Sequence, residues 1–237
     1  ENWRLKAEVW TERLAPRIDD NSTHDLGFLF VPSWVEACKQ TGAEKWRLGA
    51  LQAAWSLAER FAPGGFIQSW GPIGKGRYAG TVIIDNMMNL ELLYWAAIEG
   101  NFPQLGQMAN SHAFLTFSHH IRADGSTFHL VDFSRDTGEA VSFRTHQGLR
   151  ANSTWSRGQA WAIAGFAMAY RYTQIPEFAE AVIAAGQYFM DHLPEDKVPY
   201  WDFRTPEEDK WVRDSSASAC AASGLLEISS LIEDKTE

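Results

Sequence analysis

The stretch Thr81-Val-Ile-Ile-Asp-Asn-Met-Met-Asn-Leu-Glu-Leu-Leu-Tyr-Trp95 is mostly apolar but carries the carboxylate of Asp85 near its start. A helix that is hydrophobic on nearly every face normally lies at the centre of a large fold. We therefore predict a buried helix over residues 82–99, ended by Gly100 and Asn101. An ionised carboxylate is costly there unless it is paired or hydrogen-bonded, so Asp85 is either a satisfied structural group or a working acid.

The bulk composition is that of a globular protein. The chain has 237 residues and 45% hydrophobic content, which suits one large domain or two small ones. A formal net charge of −9 argues against nucleic-acid or anionic-membrane binding, because both need a concentrated basic surface. Neither a bilayer-spanning run nor a signal-peptide core is present in the sequence. Cys38 and Cys220 are far apart, which favours two small buried side chains over a disulfide or a metal site.

The aromatic content, 13% with 11 Trp, is high for a chain of this size. Flat aromatic faces bind sugar rings, because a pyranose presents apolar C–H surface that an indole removes from water. Tryptophan is also a large core residue. Composition alone therefore favours a sugar site only modestly.

Helical spacing, together with capping and breaking signals, predicts about eight helices, one of them interrupted near Pro32. Four apolar helices start at Asp25, Asp85, Arg157 and Asp214, at intervals of roughly 60 to 70 residues, with amphipathic helices between them. We interpret this pattern as helical hairpins in an α/α toroid, whose inner helices all begin around one cavity. Helix N-termini would give that cavity a positive potential suited to an anionic ligand. An irregular helical bundle without a site fits the pattern as well.

Two shorter stretches differ from the helices. Residues 127–145 alternate in polarity around a turn at 135–138, which predicts a β-hairpin with His129 on its first arm. Residues 66–70 are too short for a helix and are interpreted as an extended segment. Trp70 then lies at the edge of a loop.

Seven segments spread over nearly the whole chain carry a resemblance to a known family: His24-Asp-Leu-Gly-Phe28, Ile84-Asp-Asn-Met-Met-Asn-Leu90, Asp124-Gly-Ser-Thr-Phe-His129, Ser153-Thr-Trp-Ser-Arg-Gly-Gln-Ala-Trp161, Leu193-Pro-Glu-Asp196, Val198-Pro-Tyr-Trp-Asp-Phe203 and Arg213-Asp-Ser-Ser-Ala217. In this order they resemble the unsaturated glucuronyl hydrolases of glycoside hydrolase family 88. No single segment would suffice.

The resemblance implies an all-α fold, an (α/α)6 barrel of helical hairpins with a small β-hairpin insertion, as a single catalytic domain over residues 1–237. A closed barrel of six hairpins needs about twelve helices, whereas the sequence shows about eight. We therefore expect the barrel to be incomplete, lacking its C-terminal hairpins and one helix before residue 1.

The resemblance also implies a reaction. The family removes the 4,5-unsaturated uronic acid at the non-reducing end of lyase-generated oligosaccharides by hydrating its vinyl ether, without a metal or an organic cofactor. Asp85 would be the general acid and base, and Asp25 the second catalytic carboxylate. Burial among apolar side chains suits this role of Asp85, because burial raises the pKa of a carboxyl group.

A set of substrate-binding residues follows from the same resemblance. Three tryptophans would form a stacking wall, with polar contacts beside it: His24, Trp70, His129, Gln147, Trp155, Arg157 and Trp161. Simpler interpretations stand beside these. Each Trp could be core packing, Arg157 a helix-start residue that bonds a loop carbonyl, and His129 a satisfied surface histidine.

The partner expected is an unsaturated uronate-containing oligosaccharide, with no nucleic acid and no membrane. Two alternatives stay open: the related unsaturated rhamnogalacturonyl hydrolases, which share the barrel and the chemistry, and a non-catalytic glycan-binding barrel. A cytoplasmic and a periplasmic location in a bacterium both fit the sequence, which assigns no oligomeric state.

Overall fold

A computed structural model describes residues 2–233 of the chain. Its α-helices are α1 (Trp3–Glu12), α2 (Leu26–Phe30), α3 (Glu36–Thr41), α4 (Glu44–Ala58), α5 (Asn86–Glu99), α6 (Pro103–His120), α7 (Ser156–Thr173), α8 (Pro176–Asp191) and α9 (Ser215–Glu233). Its strands are β1 (Thr81–Ile83), β2 (Leu130–Phe133) and β3 (Ala140–Arg144). A π-helical turn at Val31–Val35 joins α2 to α3, which confirms the predicted interruption near Pro32. Short 3-10 turns lie at Ala15–Arg17, Gly76–Tyr78 and Glu207–Asp209.

The helices form two layers. In the inner layer α5 packs against α2 and α7, and α7 packs against α9. In the outer layer α4 covers α2 and α5, α6 covers α5, and α8 covers α7 and α9. The predicted alternation of inner apolar helices with outer partners is therefore confirmed.

Glycines let the inner helices approach each other closely. A Cβ added at Gly27 on α2 would lie 2.3 Å from the Cα of Asn89 on α5. One added at Gly165 on α7 would lie 2.5 Å from the Cβ of Met87. The Phe28 backbone N–H also donates to the Asn89 side-chain oxygen at 2.9 Å, so the start of α2 is fixed beside the first turns of α5.

The predicted helix over residues 82–99 is wrong at its start. Residues 81–83 form β1 instead, which pairs antiparallel with β2, so that Val82 lies opposite Val131, and α5 begins at Asn86. The physical reason is that β-branched residues pack well on a pleated surface, and β2 offers them a partner strand. Asp85 consequently occupies the N-cap of α5, at the junction between strand and helix, and not the interior of a helix.

The predicted β-hairpin is confirmed as β2 and β3, to which β1 adds a third antiparallel strand. Two buried histidines of α6 attach this sheet region to the outer layer. His112 Nδ1 accepts the Ile67 backbone N–H at 3.0 Å, and His120 Nε2 lies 3.3 Å from the Val82 carbonyl oxygen. Burial lowers the pKa of both imidazoles to about 3, so both are neutral at ordinary pH.

Cys38 and Cys220 are free thiols in the described part of the chain, and both are partly rather than fully buried. Over residues 2–233, no helix combines the length and the apolar character that crossing a bilayer requires.

We predict that Gly27→Ala lowers the free energy of unfolding by about 1–3 kcal/mol, because the new methyl group meets backbone atoms of α5 that cannot rotate away. Urea denaturation of the variant and the parent chain measures this. Gly106→Ala on α6 is the matched control, since its Cβ would meet only the Ala97 methyl, at 3.3 Å. Equal losses in the two variants would contradict the close contact between α2 and α5.

Candidate active site

Asp85 is held at the junction of β1 and α5, where its side chain is 15% exposed. The Ile84 backbone N–H donates to the His129 carbonyl at 2.9 Å, which fixes the backbone just before Asp85. Among the residues that the structure describes, none donates a hydrogen bond to Asp85 Oδ2, although that atom is buried. A buried acceptor without a donor favours the protonated carboxyl group.

The pKa of Asp85 reflects this setting. Burial raises it from the ordinary 3.8 to about 7, and the negative charge of Asp25 adds to the rise. A hydrogen bond from its own backbone and the positive charge of Arg157 act in the opposite direction. Near neutral pH the group is therefore poised between acid and base, which is what proton transfer in both directions requires.

Asp25 and His24 lie at the start of α2. Asp25 occupies the N-cap, its side chain is 48% exposed, and Oδ1 lies 3.3 Å from His24 Nε2. The imidazole of His24 is buried, which lowers its pKa, while the charge of Asp25 opposes that shift. Asp25 is thus the more accessible of the two candidate carboxylates, and its effect on the pKa of Asp85 places both in one electrostatic field.

Trp70 lies beside this pair in a loop that Arg60 holds in place. The ring of Trp70 meets His24 edge-on with centroids 6.3 Å apart, and meets His146 at 5.4 Å. Arg60 is fully buried, and its guanidinium donates to backbone carbonyls on both sides of Trp70, those of Gln68, Ser69 and Gly71. Trp70 is partly exposed, so part of its face is open to a ligand.

His129, directly before β2, also lies near Asp85. Its Nε2 lies 3.9 Å from Asp85 Oδ2, and neither atom has a hydrogen-bond partner among residues 2–233. This distance is too long for a direct hydrogen bond, but one oxygen atom between the two atoms could form a hydrogen bond with each of them. Trp155 packs on the imidazole with ring centroids 4.8 Å apart. Trp155 is only 4% exposed, so little of its surface is open for stacking.

Arg157 lies in the first turn of α7. Its Nη1 donates to Ser216 Oγ at 3.1 Å and lies 3.7 Å from Asp214 Oδ2, while the guanidinium is 5.1 Å from the Trp155 ring centroid. An open pocket of about 570 Å³ adjoins these groups, and it is lined by Gln147, Trp155, Arg157, Trp201, Val212, Arg213, Asp214, Ser215 and Ser216. The bond of Arg157 is thus made to a side chain at the start of α9 and not to a loop carbonyl.

Trp161 lies one helical turn further along α7 and is partly exposed. Its ring meets Phe28 of α2 edge-on, with centroids 5.2 Å apart. The structure therefore brings one group together at the start of α2, namely His24, Asp25 and Trp70, and a second group at the starts of α5 and α7, namely Asp85, His129, Gln147, Trp155 and Arg157. Trp161 contacts α2 from α7. Their roles in binding and catalysis remain predictions.

Asp214, which the sequence places at the start of an apolar helix, is not among the predicted site residues. It caps that helix, since Asp214 Oδ1 accepts the Ala217 backbone N–H at 3.0 Å, but Oδ2 also approaches Arg157. The recurrence of an acidic residue at the start of an inner helix was the signal that could have identified it. No cluster of three or more potential metal ligands of the His, Cys, Asp or Glu type is present in the described part of the chain.

We predict opposite effects of two substitutions on the pKa of Asp85. Asp25→Asn removes a negative charge and lowers that pKa, whereas Arg157→Gln removes a positive charge and raises it. Carboxyl carbon NMR of aspartate-labelled protein, titrated between pH 5 and 9, measures both shifts. A change of the same sign in the two variants would show that Asp25 and Arg157 do not act on Asp85 through their charges.

The sequence has relatives of known activity, although no family model matches it. An unsaturated glucuronyl hydrolase of Formosa agariphila is 38% identical over 238 residues, which cover 99% of this chain and 59% of the relative. An unsaturated glucuronyl hydrolase of Bacillus sp. (strain GL1) is 41% identical over 224 residues, which cover 94% of this chain and 59% of the relative. An unsaturated chondroitin disaccharide hydrolase of Streptococcus pyogenes serotype M1 is 38% identical over 212 residues, which cover 89% of this chain and 53% of the relative.

Solved structures show the same likeness. The crystal structure of the unsaturated glucuronyl hydrolase from Bacillus sp. GL1 matches with a TM-score of 0.93 at 39% identity, over 97% of this chain and 62% of that one. A heparin-specific unsaturated glucuronyl hydrolase matches with a TM-score of 0.91 at 37% identity, over the same shares of the two chains. The expected α/α barrel fold is confirmed, and this chain spans about three fifths of the length of the relatives it matches. The predicted resemblance to the unsaturated glucuronyl hydrolases of glycoside hydrolase family 88 is thus confirmed over nearly the whole length of this chain.

Proposed function

We propose that this chain carries the catalytic carboxylates of a hydrolase that removes a 4,5-unsaturated uronic acid from the non-reducing end of an oligosaccharide. The observation that carries the proposal is Asp85, a carboxyl group with a pKa of about 7 whose Oδ2 faces His129 across 3.9 Å. An ordinary surface aspartate is ionised at neutral pH and cannot give a proton to carbon. Similarity to the unsaturated glucuronyl hydrolases supports the same chemistry.

In the proposed reaction Asp85 donates its proton to C4 of the vinyl ether, and the C4–C5 double bond is lost. A water molecule adds its oxygen to C5 and returns one proton to the Asp85 carboxylate. The product at C5 is a hemiketal, which opens to a ketone and releases the sugar attached at C1. Asp85 thus gives up one proton and regains one in each cycle. A pKa near the working pH allows it both to donate and to accept that proton.

The neighbouring residues receive roles that fit their positions. His129 Nε2 and Asp85 Oδ2 lie at a distance that one water or substrate oxygen can bridge. Asp25, the more exposed carboxylate, would accept hydrogen bonds from sugar hydroxyls. Arg157 and the N-termini of α5 and α7 supply positive potential for the uronate carboxylate. The partly exposed Trp70 and Trp161 would offer ring faces to the sugar.

The relatives point to the class of substrate. One is named for chondroitin disaccharides and one for heparin, and a further solved structure of the family contains the saccharide dGlcA-Glc-Rha-Glc. We therefore propose unsaturated glycosaminoglycan disaccharides as the first substrates to test. An unsaturated rhamnogalacturonyl disaccharide tests the neighbouring family in the same assay.

We predict that Asp85→Asn slows the decay of the ultraviolet absorbance of a lyase-generated disaccharide by about 10²–10⁴-fold, because no other group replaces the proton donor. Absorbance of the conjugated enoate follows the reaction directly. Asp136→Asn, in the exposed turn between β2 and β3, is the matched control and keeps the parent rate. Unchanged decay in Asp85→Asn would remove Asp85 from the reaction.

Two further outcomes identify other functions. Binding of the disaccharide without decay in the parent chain would indicate a glycan-binding barrel without activity. Release of sugar from a saturated glucuronide at a similar rate would indicate direct glycosidic hydrolysis, in which the separation of the two carboxylates decides the stereochemistry.

A further inference from the structure

The imidazole of His129 is surrounded on one side by donors only. Its Nδ1 accepts the backbone N–H groups of His146 at 3.1 Å and of Gln147 at 3.2 Å. The hydroxyl oxygen of Thr145 lies 3.1 Å from the same nitrogen. Because Nδ1 accepts two backbone N–H groups, it has no proton to give, and the Thr145 hydroxyl is the donor in this contact. The Thr145 oxygen in turn accepts the Gly148 N–H at 2.8 Å.

This arrangement decides where the imidazole carries its proton. A neutral imidazole has one N–H and one bare nitrogen, and the hydrogen bonds made by one nitrogen fix the state of the other. A proton on Nδ1 of His129 would point at two backbone N–H hydrogens. The proton therefore lies on Nε2, the nitrogen that faces Asp85 Oδ2 at 3.9 Å.

The turn over residues 145–148 is itself tightly packed. A Cβ added at Gly148 would lie 2.8 Å from Thr145 Oγ1, 3.1 Å from Asp202 Oδ2 and 3.3 Å from Trp155 Cβ. The fully buried Asp202 accepts the N–H of the next residue, Leu149, at 2.9 Å. Gly148, whose N–H donates to the Thr145 hydroxyl, is therefore held in a crowded position.

We propose that Thr145 is a positioning residue, whose hydroxyl and turn hold His129 as the neutral Nε2–H tautomer and so present a fixed hydrogen-bond donor to the oxygen atoms at Asp85. This inference rests on the proposed function only for its effect on the rate. The tautomer itself is a property of the chain without substrate.

Charged and titratable groups lie on several sides of His129, and a negative charge on Asp85 would favour protonation of the ring whereas burial opposes it. Asp85 faces Nε2, His146 lies in the turn, and His120 approaches from α6. Burial, with a smaller contribution from His146, lowers the pKa of His129 to about 3. His129 therefore does not compete with Asp85 for the proton that the reaction transfers, and it contributes a hydrogen bond instead.

The test compares Thr145→Val, which removes the hydroxyl at nearly constant volume, with Thr145→Ser, which keeps it. Nitrogen-15 NMR of histidine-labelled protein reports whether each ring nitrogen carries a proton and whether a bare nitrogen is hydrogen-bonded. His129→Gln identifies the signals. We expect a bare Nδ1 and a protonated Nε2 between pH 5 and 8 in the parent chain and in Thr145→Ser. In Thr145→Val the Nδ1 signal moves toward that of a nitrogen with fewer donors.

Kinetics on the unsaturated disaccharide give the second readout. We expect kcat to fall about fivefold in Thr145→Val with little change in KM, the size of effect produced by losing one hydrogen bond, and to be restored in Thr145→Ser. Thermal unfolding of both variants checks that the fold is retained. A protonated Nδ1 in the parent chain, or an unchanged Nδ1 signal in Thr145→Val, would overturn the proposal. Absent turnover with the expected NMR result would instead count against the proposed function alone.

Discussion

The site depends on burying the Asp85 carboxyl group without giving Oδ2 a hydrogen-bond donor from any described residue. A pKa raised from 3.8 to about 7 means that the site disfavours the ionised form, relative to the protonated one, by roughly 4 kcal/mol more than water does. That amount is a large part of the net stability of an ordinary domain, about 5–15 kcal/mol. Ile84 and Met87, which flank the β1–α5 junction at Asp85, belong to the apolar core, and the close contact at Gly27 fixes Asn89 one turn further along α5.

The sequence allowed the layers to be predicted, but not every element that places the site. The inner helices were predictable because apolar residues cover nearly every face of them, and each starts at a polar residue. The strand at residues 81–83 was not, because a short β-branched run next to a helical pattern fits both states, and its partner β2 is distant in sequence. The candidate site residues came from segments that resemble the family. The bonds from the 145–148 turn to His129 could not be predicted, since tertiary packing determines them.

Two arginines, the fully buried Arg60 and the half-buried Arg122, fix the loops around the site. Arg60 donates to the carbonyls beside Trp70, and Arg122 donates to the Ser153 carbonyl and the Thr154 hydroxyl just before Trp155. Burial lowers the pKa of both guanidinium groups, but each charge is hydrogen-bonded to several oxygens. Carbonyl oxygens that would otherwise be unpaired in irregular segments are satisfied in this way. Trp70 and Trp155 thus have fixed backbones although both lie outside the regular elements.

Asp132 shows what the fold does with a carboxylate that it keeps ionised. Burial alone would raise the pKa of Asp132, but hydrogen bonds from Arg144, Ser142 and Thr81 hold it below its usual value. Asp132 lies on β2, the strand next to β1, which leads directly to Asp85. The pKa of Asp132 is therefore lowered and that of Asp85 is raised, although the two carboxyl groups lie in the same small sheet region. The cause is that Asp132 has hydrogen-bond donors around it and Asp85 Oδ2 does not. A fold able to provide four side-chain hydrogen bonds to Asp132 supplies none from its described residues to Asp85 Oδ2, which is the condition for a proton donor at neutral pH.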